Sequence, residues 1–434
     1  MRNRKSVMVM MLLLVLAVAG AVWAARVHDG RVAGASELFV PTTFWQYQCL
    51  DTMKFSRDTA GQELDDIEKA RPFVAQEMSI IKSLGANCVA LGTPYDERFI
   101  PVLKLWVDEA RKQNLAVWFR GNFSGWEGWF SYPKLASAEK HHELLYSFII
   151  NHTNLFKPWD ILTPAPEAEN GLLGNPWRSP AAADQLKAFV VESAETCARA
   201  QKDAGLNFRC GYFSANGDVA ERIYDAQTAQ ATGGVIVMDH YVSSAERMEN
   251  DITRVARSHN AAIMLGEFGA PIPDINGLMT EEQQTDFISS LLEVFRRHRA
   301  DIQGINYWVL RGGSTSLINE SDGSLREAST MLSDYYQPAR LIGQVRDSRG
   351  KPVSGATVTI EPAGEHLVTN EAGQFGLPIL AGPATITITH PDYQSVTTTV
   401  LLERSQTQNL ELALTPIQKS LGYRVEEIIQ NIRH

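Results

Sequence analysis

Ile263-Met-Leu-Gly-Glu267-Phe-Gly269 is an apolar run, short enough for one buried strand, that ends on a carboxylate between two glycines. A carboxylate has no place inside a packed core. It belongs where a strand covered on both faces emerges from its sheet. The strand part of this run, 262–265, has seven companions at 39–45, 88–91, 116–119, 159–162, 208–213, 234–238 and 304–308. Longer amphipathic stretches separate them. The stretch 65–84 ends at Gly85, and 181–204 is entered by Ser179 as N-cap with Pro180 in its first turn. Such alternation is the pattern of parallel strands joined by crossover helices, and eight strands predict a (β/α)8 barrel over 39–338. An open doubly wound sheet also alternates. However, no Gly-x-Gly-x-x-Gly follows the first strand run, and no phosphate-binding loop occurs elsewhere.

Ahead of the barrel, Met1-Arg-Asn-Arg-Lys5 leads into an uncharged apolar run over 7–23. Residues 1–25 therefore read as a signal peptide or an N-terminal membrane anchor. Val22-Trp-Ala-Ala25 is a small-residue ending that signal peptidase accepts, while the run approaches the roughly 17–20 residues of a membrane span. Either way the chain is expected to be exported, secreted or anchored at the outer face of the membrane. Residues 26–38 read as a linker.

Beyond the barrel the pattern changes to period-two alternation with glycine turns, first over 341–360 and then at 366–369, 384–389, 395–402 and 408–414. This is the language of antiparallel strands and hairpins, and it predicts an all-β sandwich over 340–415. The last stretch, 416–434, sets Leu421, Val425, Ile428, Ile429 and Ile432 at helical spacing, as in an amphipathic tail.

A formal net charge of -10 argues against a nucleic-acid partner held by phosphate contacts. The cysteines Cys49, Cys88, Cys197 and Cys210 include no Cys-x-x-Cys pair, which disfavours zinc. Cys88 and Cys210 lie in strand-like runs and are expected as small core residues, with pairing left open. His141-His142 lacks the spacing for metal binding on one helix face, and no Gly-x-Ser-x-Gly elbow accompanies Ser214, Asp239 and His240. No metal or cofactor is implied.

The predicted strand ends gather polar and aromatic residues. Strand one runs into Trp45-Gln46-Tyr47 and strand three into Arg120-Gly-Asn122, with Trp126, Glu127 and Trp129 following. Strand six runs into Asp239-His240-Tyr241, and strand eight into Trp308 and Arg311. After strand four comes Trp159-Asp-Ile-Leu-Thr-Pro-Ala-Pro166-Glu167-Ala-Glu169.

The run ending in Glu267 resembles the nucleophile strand of clan A glycoside hydrolases, especially family 5-like members. That resemblance implies a retaining two-glutamate mechanism, with carboxyl groups about 5–5.5 Å apart. Glu267 then takes the place of the nucleophile and Glu167 that of the acid/base, with Glu169 as runner-up. One departure stands out: Pro166 precedes Glu167 where the clan carries an Asn that orients the sugar 2-hydroxyl. His240 and Tyr241 resemble residues that flank the nucleophile, with Tyr241 the better placed to touch it. Arg120 and Asn122 are expected as sugar or nucleophile contacts, and Trp308 as the sugar-stacking ring. Trp45, Trp126 and Trp129 complete the substrate-binding candidates.

The pattern Gly343-x-Val345, Gly350-x-Pro352, Gly355-Ala-x-Val358, Thr369 and Gly373-x-Phe375 resembles the carboxypeptidase regulatory-like domain, which implies a spacer or adhesion module. The expected partner is an extracellular or envelope polysaccharide or oligosaccharide. The competing expectation is a non-catalytic surface protein whose degenerate barrel binds glycan.

Overall fold

In the computed structural model, residues 38–418 are described. The expected signal or anchor segment 1–25, the linker up to residue 37 and the tail from residue 419 lie outside the described residues.

Apolar runs that must be covered on both faces fold here as the parallel strands β1 Tyr47–Asp51, β2 Cys88–Leu91, β3 Ala116–Phe119, β4 Ile161–Leu162, β5 Arg209–Cys210, β6 Ser214–Asn216, β7 Val235–Asp239, β8 Ala262–Phe268 and β9 Ile302–Tyr307. Their order is β5-β4-β3-β2-β1-β9-β8-β7-β6. The two outermost segments, β5 and β6, are one pass of the chain interrupted after Cys210, where Gly211 takes φ +90°. Nine segments thus make eight strands, and the shared fifth strand closes a barrel by pairing with β4 on one side and β7 on the other. The period of two divides the strands cleanly. Tyr47, Cys49, Cys88, Ala90, Val235 and Val237 fill the barrel interior, while Leu50, Val89, Leu91, Ile236 and Met238 pack against the outer helices.

The helices obey their local signals. Pro180–Ala204 starts under Ser179, whose side chain accepts from the Ala182 N–H, and stops at Gly205 with φ +65°. The predicted 65–84 stretch divides at Asp66, whose carboxylate accepts from Lys69 N at 3.0 Å and so starts a new helix, Ile67–Ser83.

Strand one is a correction. It lies at Tyr47–Asp51, not at 39–45, because Gln48 and Asp51 interrupt its apolar run yet are both buried. Gln48 Nε2 donates to Tyr336 O at 2.9 Å, which gives the amide nitrogen a partner inside the protein. Trp45 consequently precedes the strand at the barrel's N-terminal end, 2% exposed, with Nε1 donating to Phe295 O at 3.3 Å. Its expected substrate contact is withdrawn. The cysteines also depart from expectation. Cys49 pairs with Cys88 across β1 and β2, where the two are register partners, and Cys197 ties its helix to Cys210.

The second core is a β-sandwich. β10 Ala339–Asp347, β13 Gln374–Ile379 and β16 Thr407–Leu414 form one sheet in the order β13-β10-β16. β11 Thr357–Glu361, β12 Glu365–Val368, β14 Gly382–His390 and β15 Tyr393–Leu402 form the other in the order β12-β11-β14-β15. Leu341, Val345, Val358, Ile360, Phe375 and Ile386 interlock between them. The expected all-antiparallel hairpin pattern needs correction. The chain folds back only as far as the Arg346–Pro352 bridge before crossing to the other sheet, and β10 pairs with β16 in parallel, from Arg340–Thr407 to Asp347–Leu414.

The two cores are pinned together by Arg296 and Arg299, which both bind the buried Glu365, the latter at 2.8 Å. Arg296 lies in the last turn of helix Glu281–Arg297 and Arg299 just beyond it, before β9 begins, so the sandwich sits beside the barrel's N-terminal end. The C-terminal ends of the strands are left open.

Candidate active site

Glu267 lies one residue before the end of β8 and is 8% exposed. Two groups hold its carboxylate: Tyr241 Oη donates to Oε2 at 2.7 Å, and Arg120 Nη2 approaches Oε1 at 3.0 Å. Arg120 rises from the end of β3 and is fully buried. It meets Asp239 Oδ2 at 2.8 Å and Asp51 Oδ2 at 3.4 Å, and also donates to Gly266 O. Asn306 Nδ2 closes the ring of contacts, bonding Asp51 Oδ2 at 3.0 Å and Gly266 O at 2.7 Å. The sequence reading missed Asp51 altogether. Had β1 been placed correctly, this residue would have stood at its C-terminal end.

Gly266 and Gly269 do not make room for substrate. A Cβ at Gly266 would lie 2.2 Å from Asp239 Oδ1, and one at Gly269 2.2 Å from Trp308 O. Both glycines let neighbouring strands approach.

Glu167 follows β4 with φ +45°, a left-handed backbone that costs a non-glycine residue about 1–2 kcal/mol. Its N–H donates to Ser214 O at 2.9 Å, and Asn170 Nδ2 donates to its Oε2 at 3.1 Å. Such strain persists only where surrounding structure imposes it, and here it turns the carboxyl into the cleft. Glu169, the runner-up, is used otherwise: its Oε1 accepts from Asn216 N at 2.8 Å and Nδ2 at 3.1 Å, fastening the β4 loop to β6.

Glu167 and Glu267 line one cleft of about 290 Å³ with Arg57, Glu127, Trp129 and Trp308; Met53, Pro166 and Asn170 complete its wall. A hollow of about 360 Å³ also opens at the barrel's opposite end, between Tyr47, Asn87, Asn114 and Trp159. Its one carboxylate, Asp160, is consumed by Arg111 and by the N–H groups of Val117 and Lys157. The paired carboxyl groups of Glu167 and Glu267 belong to the first.

The other expected contacts divide. Trp129 lines the cleft with the Arg57 guanidinium 5.0 Å from its ring centroid. Trp126 does not: it is 2% exposed and stacks on Phe189 at 4.6 Å, so it is a core residue. Asn122 is buried. It donates to Glu127 Oε1 at 2.5 Å and accepts from Phe123 N, acting as a support for Glu127 instead of a sugar contact. His240 turns away as well, with Nε2 3.0 Å from Asp251 Oδ2, although its backbone N–H bonds Glu267 O at 2.8 Å. Among the described residues, no group of His, Cys, Asp and Glu is arranged to hold a metal ion.

Burial raises both glutamates, and their contacts are what distinguish them. Glu167 is pushed up to about 8, chiefly by burial, then by the charges of Glu267 and Glu169. Burial and the neighbouring Asp239 push Glu267 upward too, but Arg120 and the Tyr241 hydroxyl oppose them at contact distance. Asp51, Asp239, Glu267 and Glu167 cannot all be ionised around one guanidinium. The direct cation contact favours the anion on Glu267. Glu167, with only the Asn170 amide bonded to its carboxyl, is the better placed of the two to keep a proton. Glu127 is pushed up to about 7 by burial. The cleft therefore offers one carboxylate able to attack and one carboxylic acid able to donate a proton.

The carboxypeptidase regulatory-like domain family matches residues 340–415, which identifies the β-sandwich. No curated protein matches the chain. Among solved structures, the AHE enzyme from Alicyclobacillus herbarius aligns at 9% identity and TM-score 0.48, over 69% of this chain and 98% of its own. The beta-glycosidase BGL167 aligns at 11% identity and TM-score 0.47, over 68% and 96%. A GH5_18 protein from Streptomyces cattleya, in complex with GlcNAc, aligns at 13% identity and TM-score 0.47, over 70% and 86%.

Proposed function

We propose that the barrel is a retaining glycoside hydrolase or transglycosidase that cleaves O-glycosidic bonds of an extracellular or envelope polysaccharide. One observation carries this reading: two carboxyl groups share a cleft at the strands' C-terminal ends, one held by a cation and a phenol, the other bonded only by an amide. Breaking a glycosidic bond requires a proton on the leaving oxygen and a partner for the oxocarbenium-like carbon. Glu167 gives its proton to the leaving oxygen while ionised Glu267 attacks the anomeric carbon. Glu167, now a base, then takes a proton from water or an acceptor sugar, which displaces Glu267 and restores both groups. Arg120 and Tyr241 keep the Glu267 oxygens fixed and its charge available, while Trp308 offers the sugar a flat apolar face. With Pro166 before Glu167, the polar groups left for sugar hydroxyls on that side are Asn170 and Glu127.

Export, with secretion or attachment through 1–25, is part of the same proposal. The two disulfides support an oxidising compartment. No helix among the described residues is long and apolar enough to cross a membrane.

The test is to incubate the purified protein and its Glu267→Gln variant with polysaccharides and aryl glycosides and to measure new reducing ends. Release by wild type alone is the expected result. Binding of glycan by both proteins, with cleavage by neither, would replace the enzyme with a glycan-binding surface protein.

A further inference from the structure

The loop between β4 and helix Pro180–Ala204 leaves the cleft at Asn170 and carries Trp177 outward, 52% exposed. A ring this exposed is usually free to move, but this one is anchored. The Arg222 guanidinium lies 4.5 Å from its ring centroid, covering one face. Asn175 Oδ1 accepts from Trp177 N at 2.7 Å, and Arg178 braces the loop through Leu173 O at 2.6 Å and Asn175 O at 3.2 Å. Arg222 sits on helix Gly217–Ile223 directly after β6, so strand-end elements of the same barrel face hold the ring. Trp129 repeats the arrangement on the β3 loop, with Arg57 over its ring at 5.0 Å. In strand order, Glu167 at the end of β4 stands between Trp129 on the β3 loop and the helix after β6 that holds Trp177 through Arg222.

A guanidinium on one face fixes the plane of an indole and leaves the other face free. A rigid flat ring with one open face binds the C–H face of a pyranose at small entropic cost. We propose that Trp177 forms an outer subsite for a sugar unit beyond the cleft, so that a glycan chain lies across the rim from Trp129 to Trp177 and is cut internally. This rests on the glycoside hydrolase reading for the cutting, but not for the binding.

The experiment separates the two. Full-length Glu267→Gln protein, with and without Trp177→Ala or Trp177→Phe, is titrated calorimetrically with two- to six-unit oligomers of β-1,4-linked glucose, mannose and N-acetylglucosamine. In one series affinity should rise with length, and Trp177→Ala should remove about a three- to tenfold gain for the longer members, with Trp177→Phe retaining part of it. No length dependence in any series, or equal affinities with and without Trp177, overturns the subsite. In parallel, wild type on the matching polymer should release mixed oligomers at the earliest times. Monosaccharide as the sole early product overturns internal cleavage. A Trp177-dependent gain without any hydrolysis upholds the subsite and removes the hydrolase.

Discussion

The two ends of the barrel are built from similar residues and treat their charges in opposite ways. At the N-terminal end Asp160 is fully buried and fully occupied, accepting from Arg111 and from two backbone N–H groups. The sandwich contact at the same end is likewise balanced, with two arginines on Glu365. At the C-terminal end Asp51, Asp239 and Glu267 crowd one guanidinium, and Glu167 shares the cleft with no cation in contact with it among the described residues. A charge that only supports the fold is neutralised where it stands. Carboxyl groups left in excess have proton affinities set by one another, the condition that acid and base roles require.

This contrast can be broken at either end. The largest effect expected is on catalysis: Glu267→Gln should lower kcat/KM by roughly a thousandfold or more, read as aryl-glycoside turnover, with little change in melting temperature. Arg120→Met should fail in both respects, since it strands buried carboxylates without a cation. A loss of about 3–5 kcal/mol in denaturant unfolding is expected. Asp160→Asn, at the balanced end, should cost about 1–3 kcal/mol of stability and leave the specific activity of the folded fraction intact. Loss of activity there would erase the distinction between the two ends.

The pH dependence sharpens the comparison further. Glu167 is raised from 4.5 to about 8, so it binds its proton more tightly folded than unfolded. Its contribution to stability is full below about pH 4.5 and is lost as pH climbs through about 8. Wild type should therefore melt lower at pH 8 than at pH 5, and Glu167→Gln should flatten that slope. The kcat/KM profile should fall on its alkaline side near the same pH as the acid is lost. The smallest effect belongs to Trp126→Phe, which should cost about 1 kcal/mol of stability and leave oligosaccharide affinity unchanged, as befits a core ring.

Most of the barrel was legible because burial on both faces forces apolar runs, and strand ends announce themselves by the first charge that follows. The rule failed at Tyr47–Asp51, where buried Gln48 and Asp51 hide a strand behind polar letters. That failure also concealed Asp51 and misplaced Trp45. Trp126 was misread for a related reason: an indole suits a core as well as a sugar, and its letter does not say which side it faces. Glu169 and Glu167 stand two residues apart with the same chemistry. The Asn216 contacts that occupy one of them come from another strand.

By itself the sequence determined the alternation that makes a barrel, the period-two sandwich behind it and the strand that delivers Glu267, since each follows from local periodicity and burial. The tertiary structure alone decided which carboxyl meets the cation, which cysteines pair and which tryptophans face the cleft. Those outcomes depend on contacts of a few ångströms between residues far apart in the chain. Coulomb interaction, desolvation and disulfide bonding respond to distance in space, which no spacing along the sequence records.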